Sequence, residues 1–497
     1  MQPPPESVPL PALSPIAGPD TRPRFTSEPQ LVIKARADYR LALAAVLAAV
    51  GLDAAIHVGF SSLAGSSWVV VIAAGLLLGN RIQGWLSVTL ISAAALLGLT
   101  FTVRASPWVI TPVGLAIAVL LPLGASVGAD RGGLATTFPG LTARLGIVAA
   151  HVINAPGMFY FKGESAPEVR ARRWSMAVLR GALFGVPIML IVGVLLASAD
   201  PIFRSWFDPS LVFQHVVYLV IGGWVMVGLA RAASAERPAA RLRTAPKFGS
   251  IEAAVVLGGL CAVYTAFVVA QFVALSGAGH RILVTHGLTY AEYARSGFFR
   301  LLICAAITLI VLLGVRVGAN PANPVLNSLS ALTTLLTIGV VVVAFRRLEL
   351  YEAVFGLTML RLACFFVAVW IAVVFVLLGL TFPARGLPRR YFPAAFIVSA
   401  VLLIGTWVVV NPASVVARTD LSRAEHGRAL DYNQELSLGP DATPVIVSQL
   451  AHLPHPALMR GLICLSLSKK RPLNVSERLA QRALDNVCLA TGSRGQG

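Results

Sequence analysis

The densest chemistry in this chain is a twelve-residue run, Thr289-Tyr290-Ala291-Glu292-Tyr293-Ala294-Arg295-Ser296-Gly297-Phe298-Phe299-Arg300. It sets two tyrosines, a carboxylate and two guanidiniums against the start of an apolar stretch. Glu292 and Arg295 stand three apart, as do Tyr290 and Tyr293, so on a helix each pair shares a face. A second run, Arg346-Arg347-Leu348-Glu349-Leu350-Tyr351-Glu352, precedes an apolar stretch that carries Arg361. Aromatic residues at a membrane interface are ordinary belt residues; the interleaved charges are not. They read either as a structural ion-pair network or as a ligand site.

Elsewhere polar groups are sparse. An ionisable side chain at the centre of a span costs about 2.5–3.5 kcal/mol on insertion scales, so each one marks a candidate. Asp53 and His57 lie four apart on one face of the first apolar run. They suit a proton relay, or a pair wetted or bonded to each other near the outer end. Asp200-Pro201 closes another run, where proline stops the helix and the carboxylate can bond the backbone of a turn. Gln271, late in a third run, can hydrogen-bond across helices. No G-x-x-x-x-G-K-[ST] or G-x-S-x-G motif is present. His452-Leu-Pro-His455 is broken by proline, and no cysteine–histidine spacing suits a metal. No catalytic residue, metal or cofactor is expected on these grounds.

The elements that must hold these residues follow from composition. Of 497 residues 57% are hydrophobic, above the roughly 45–50% of soluble domains. The apolar runs are continuous over about 20 residues, as membrane helices require, and not the alternating ten-residue segments of a barrel. The expected fold is an all-α polytopic membrane protein of about 11 spans, near 41–60, 66–80, 82–102, 108–128, 176–197, 212–230, 250–275, 298–316, 325–345, 357–381 and 391–411. The stretch 141–160, with Arg144, His151, Asn154 and Pro156, reads as an interfacial helix. Three regions result: a Pro- and Ser-rich disordered N-tail at 1–40, the bundle at 41–411, and a small polar C-terminal region at 412–497. Leu479, Ala483, Leu484 and Val487 give that last region helical spacing, but little core of its own is expected. Gly124-x-x-x-Gly128 and Gly181-x-x-x-Gly185 fit close helix contacts.

The net charge of +18 is spread over loops, which suits the positive-inside rule and not a nucleic-acid footprint. With the N-tail cytoplasmic, the inner loops collect Arg131, Arg144, Lys162, Arg170, Arg172, Arg173, Arg231, Arg237, Arg241, Arg243, Lys247, Arg385, Arg389 and Arg390. The outer loops receive fewer, Arg346-Arg347 being the basic exception. Eleven spans put the C-terminal region outside. There Cys464 and Cys488 form a disulfide, favoured in an oxidising compartment, or remain two thiols. Cys261, Cys304 and Cys364 lie in apolar runs as small hydrophobes.

Several of these residues carry a family resemblance. Ala199-Asp200-Pro201, Gln271 and Thr289-Tyr290-Ala291-Glu292-Tyr293-Ala294-Arg295 with Gly297-Phe298-Phe299 are followed by Arg347, Tyr351-Glu352, Phe355-Gly356-Leu357-Thr358 and Arg361-Leu362. Asn411-Pro412, Ala417-Arg418 and Asp441-Ala442-Thr443-Pro444 complete the set. In order and spacing the chain resembles bacterial multi-span membrane proteins grouped as domain of unknown function 4173 and its relative 4153. Phe272-Val273-Ala274-Leu275-Ser276-Gly277 lacks the aromatic-glycine ending of that family, and Gly439 replaces its usual serine. The resemblance implies a bacterial inner-membrane location and supplies no activity.

Asp200, Gln271, the 289–300 run and the 346–361 run all fall on the outer face in this topology. The leading expectation is a non-enzymatic envelope component for binding, sensing or assembly. Glu292, Arg295, Arg300, Arg347, Glu352 and Arg361 would supply charge, and Tyr290, Tyr293 and Tyr351 amphipathic contact. Besides the lipid bilayer, its partner would be a lipid headgroup, an envelope polymer or a membrane protein. A transporter, which wants polar groups at the midplane, is one alternative. A membrane-embedded transferase on lipid-linked substrate, with Asp200 or Glu292 as base, is the other.

Overall fold

An apolar chain in lipid must satisfy its backbone groups internally, and long helices do this within one segment. The computed structural model describes residues 39–79, 84–127, 138–153, 209–234, 249–273, 290–318, 323–382, 388–465 and 472–492. The expected span at 176–197, Asp200 and the N-tail before residue 39 lie outside them. All regular structure among the described residues is helical.

The bundle helices are α1 (Tyr39–Val58), α2 (Leu63–Gly79), α3 (Trp85–Gly98), the short α4 (Thr100–Val103), α5 (Pro107–Val127), α6 (Phe138–Ile153), α7 (Pro209–Ser234), α8 (Ser250–Val273), α9 (Tyr290–Gly318), α10 (Pro324–Phe355), α11 (Met359–Gly379) and α12 (Phe392–Val410). The C-terminal region adds α13 (Pro412–Glu425), α14 (Tyr432–Ser437), α15 (Thr443–Ser448), α16 (Pro456–Leu465) and α17 (Val475–Gly492). Among the described residues eight helices are long and apolar enough to cross a membrane, α3 with α4 counting as one; α1, α2 and α6 hold shorter apolar stretches. Eleven spans were expected.

Capping residues fix several boundaries. Asn323 accepts from the Val325 and Leu326 amides at 3.0 and 3.4 Å and starts α10, with Pro324 at the first helical position. Thr358 accepts from the Arg361 amide at 3.3 Å and starts α11. Between them Gly356 takes φ +83°, a value favouring glycine, and turns the chain back. Asn411, at φ 53°, makes the matching bend between α12 and Pro412.

Neighbouring helices run antiparallel, so their ends sort onto two faces. The described residues between 412 and 492 cover the face holding the α1–α2, α4–α5 and α10–α11 turns and the end of α12; we call them the cap. Helix contact is close where side chains are small. A Cβ on Gly222 of α7 would stand 2.8 Å from the Ala48 carbonyl of α1. One on Gly124 of α5 would stand 2.6 Å from Ile91 of α3, in keeping with the packing expected of that glycine.

α6 packs against α5 and α7, and at 16 residues it is not among the helices long and apolar enough to cross a membrane. Leu141, Leu145, Val148 and Val152 form its apolar stripe, at helical spacing. Val152 meets Gly228 of α7, and the Trp224 indole donates to the Val152 carbonyl.

The cap is short and polar, but its core is not its own. Ala413, Val416, Ala417, Leu421, Leu438, Ala442, Ile446, Leu450, Met459 and Ile463 belong to the same buried cluster as the bundle residues of α1–α7 and Leu357, Met359 and Trp407. A disulfide joins Cys464 and Cys488, with Cα atoms 5.9 Å apart, and ties α16 to α17.

Candidate functional site

The cap is joined to the bundle through carboxylates that reach backbone donors. Asp441 is 2% exposed. Its carboxylate accepts the Ser106 amide at 2.7 Å and the Ala105 amide at 3.2 Å, at the start of α5, and also the Ser476 hydroxyl of α17. Its carbonyl accepts Asn411 Nδ2 at 3.1 Å and Ser414 Oγ at 2.8 Å. One aspartate thus holds α4–α5, α12–α13 and α17 together. Nearby, Arg104 donates to the Val408 carbonyl at 3.0 Å, and Asn474 Nδ2 donates to the Ser61 carbonyl at 3.0 Å.

A second junction lies over the α10–α11 turn. Asp420 accepts the Leu357 amide at 3.0 Å and Gln434 Nε2 at 2.9 Å, and Gln434 also donates to the Leu357 carbonyl at 3.1 Å. Burial raises the Asp420 carboxyl above its ordinary range, while the Leu357 amide and Arg423 pull the other way. Glu435 is 1% exposed, and neither carboxyl oxygen has a hydrogen-bond partner among the described residues. Burial, then the charges of Asp420 and Asp431, push it up to about 8, so it carries its proton at neutral pH. Beside it a cleft of about 310 Å³ opens between Ser106, Trp108, Thr358, Leu360, Gln434 and Ser437.

The sequence-predicted residues distribute unevenly around these junctions. Tyr290, Glu292, Tyr293 and Arg295 form the first turns of α9, and their side chains lie outside what is described. Phe298 is buried against Ala344, Leu348 and Ala368. It therefore brings the start of α9 beside the Arg346–Glu352 run, a proximity that the sequence only suggested. Arg300 is exposed. Arg346 pairs with Glu349 at 3.0 Å on the surface.

Other members of the second run face inward, toward the cap. Arg423 of α13 stands 3.6 Å from the Glu352 carboxylate and donates to the Glu352 and Ala353 carbonyls at 3.1 and 3.2 Å. Arg361 stacks over Tyr351 at 4.3 Å and donates to the Gly356 carbonyl at 2.5 Å. Tyr351, Glu352 and Arg361 thus help to shape the turn on which the cap sits. Arg347 is half-buried on the same helix, and Gln271 is half-buried near the end of α8.

Sequence reasoning singled out Asp53 and His57 but missed their third member. His215, from α7, places Nδ1 2.7 and 2.8 Å from the two Asp53 oxygens. His57 Nδ1 lies 3.2 Å from Asp53 Oδ1, and the two imidazoles stack with centroids 3.9 Å apart. Tyr218 meets His57 edge-on at 5.8 Å. The available signal was a histidine near the start of an apolar run, which the insertion cost alone marks as a candidate.

A family model described as Domain of unknown function (DUF4153) matches residues 91–449. No curated protein and no solved structure matches the chain. The match spans most of the chain, from α3 to the α15 region of the cap.

Proposed function

The chain belongs to the family of that domain of unknown function, and from this premise we propose that it is a non-enzymatic component of a bacterial inner membrane. It binds an anionic partner, a lipid headgroup or an envelope polymer, at its cap face. The observation that carries the reading is the cap itself: residues 412–492 sit on the face to which the starts of α9 and α11 and the end of α10 are drawn together.

The topology behind it is a cytoplasmic N-terminus and an outer cap. Three features support that. The Cys464–Cys488 disulfide suits an oxidising compartment. Arg231 near the end of α7 and Arg389 just before α12 lie at helix ends remote from the cap, as the positive-inside rule favours. α5 ends on the face opposite the cap and α7 begins on the cap face, as the 11-span expectation, with 141–160 not crossing, requires.

Arg295 and Arg300 are the guanidiniums best suited to an anionic partner, because Arg361 and Arg423 already bond the turn beneath the cap. Native mass spectrometry of the full chain from nanodiscs tests this. Phosphatidylglycerol is expected to stay bound in preference to phosphatidylethanolamine, with the preference lost in an R295A/R300A variant. A reporter fused after residue 492 is expected to be active only outside the cytoplasm. Equal retention of both lipids, or a cytoplasmic reporter, would sink the reading.

A further inference from the structure

The group Asp53, His57 and His215 plays no part in the cap junction. It is built by two helices: the Gly222 contact draws α7 against α1, and His215 then reaches Asp53 toward their cap-face ends. A carboxylate serving only as a local partner for His57, four residues away, needs no residue from α7. Instead two Nδ1 atoms from separate helices converge on one carboxylate. His57 Nδ1 also lies 2.9 Å from the Asp53 carbonyl. One ligand atom from each of the three residues falls within 4.8 Å of the other two.

The donor chemistry is selective. Two imidazoles and one carboxylate suit zinc and neighbouring first-row dications, whereas magnesium and calcium prefer all-oxygen sets. One negative and two neutral ligands leave a bound dication with one net positive charge and an open coordination position. The side chains of Asp53, His57 and His215 are 18%, 26% and 45% exposed, so the cluster is reachable from outside the helix pair. Ligation turns the stacked rings about their side-chain bonds until both address one ion.

We propose that Asp53, His57 and His215 form a site for a divalent transition-metal ion, with one coordination position open to water or an anionic ligand. The site stands independently of the anionic-partner reading, because it shares no residue with Arg295 and Arg300.

The test is calorimetric titration of the chelator-stripped full chain in nanodiscs with Zn2+, and separately with Mg2+. The expected result is one saturable Zn2+ site per chain with no comparable Mg2+ site. D53N, H57Q and H215Q should each weaken it at least about tenfold, the lower end of what loss of even an outer-shell partner costs. An H452Q/H455Q control should leave it unchanged. The Cys464–Cys488 disulfide and the thermal transition report folding of each variant. H215Q decides the matter if D53N folds poorly, because the side chain of His215 is more exposed than those of Asp53 and His57. A wild-type chain without saturable Zn2+ binding, or an H215Q chain of unaltered affinity, overturns the proposal.

Discussion

Asp441 and Asp53 are the same residue type doing opposite work in two regions. Each bridges elements far apart in sequence. Asp441, at the cap junction, spends its oxygens on the Ala105 and Ser106 amides and the Ser476 hydroxyl. Backbone amides neither titrate nor swing away, so the joint has one state. Asp53, at the rim between α1 and α7, faces two imidazoles that can rotate, exchange protons or turn to an ion. A carboxylate's role is therefore legible from its partners: fixed donors make a fastening, and adjustable ones leave a site.

The largest expected effect comes from the fastening. D441A orphans the buried Ser106 amide, the half-buried Ala105 amide and a buried hydroxyl at once. Hydrogen bonds to a charged group contribute about 1.5–3 kcal/mol each and are not additive, so a loss of about 3–5 kcal/mol is expected. Limited proteolysis should show the cap cleaved faster, and denaturant unfolding should give the free energy. D441N, which retains one acceptor oxygen, should fall between. A cap as resistant in D441A as in the wild type would mean that the apolar cluster alone holds it, and the contrast with Asp53 would collapse.

Glu435 sharpens the comparison from within the cap, since it is buried like Asp441 but has no donor among the described residues. Its folded-state pKa is about 8 against an ordinary 4.5. Between those values the folded chain keeps a proton that the unfolded chain releases, so stability falls as pH rises through that window. The contribution is fully present below about pH 4.5 and lost above about pH 8, on the order of a few kcal/mol in all. Asp420, also raised, adds a slope of the same sign. E435Q should flatten most of this dependence when unfolding is followed from pH 5 to 9. An unchanged slope would place the proton elsewhere.

The contrast also explains what could be read without coordinates. Continuous apolar runs disclosed the all-helical membrane bundle, because length and hydropathy are local properties. The charged runs at 289–300 and 346–361 were visible for the same reason. That they meet through Phe298 was not, since the meeting depends on packing between helices. Nor was the fate of Glu352 and Arg361, whose partners lie on the cap and in the adjoining turn. The cap's sparse apolar residues suggested little core because most of the cluster they join belongs to the bundle. The stripe of α6 at Leu141, Leu145, Val148 and Val152 carried the signal for its packing against neighbouring helices. His215 escaped because a lone histidine gains meaning only when another helix brings a carboxylate to it.

The smallest expected effect belongs to Asp53, and it carries the comparison's other half. In D53N the amide oxygen still accepts from one imidazole, and the i,i+4 contact with His57 is worth only about 0.3–0.5 kcal/mol at a partly exposed position. The His215 side chain is 45% exposed, so the bond it loses is not an enclosed one. α1 and α7 remain joined by the small-residue contact at Gly222, which the substitution does not touch. The stability change should therefore stay within about 1 kcal/mol, while Zn2+ affinity falls by an order of magnitude or more. Measuring both on the same nanodisc preparation separates the two roles. Should D53N cost as much stability as D441A, Asp53 would be a fastening as well, and convergence of two histidines on a carboxylate would no longer distinguish a site from a joint.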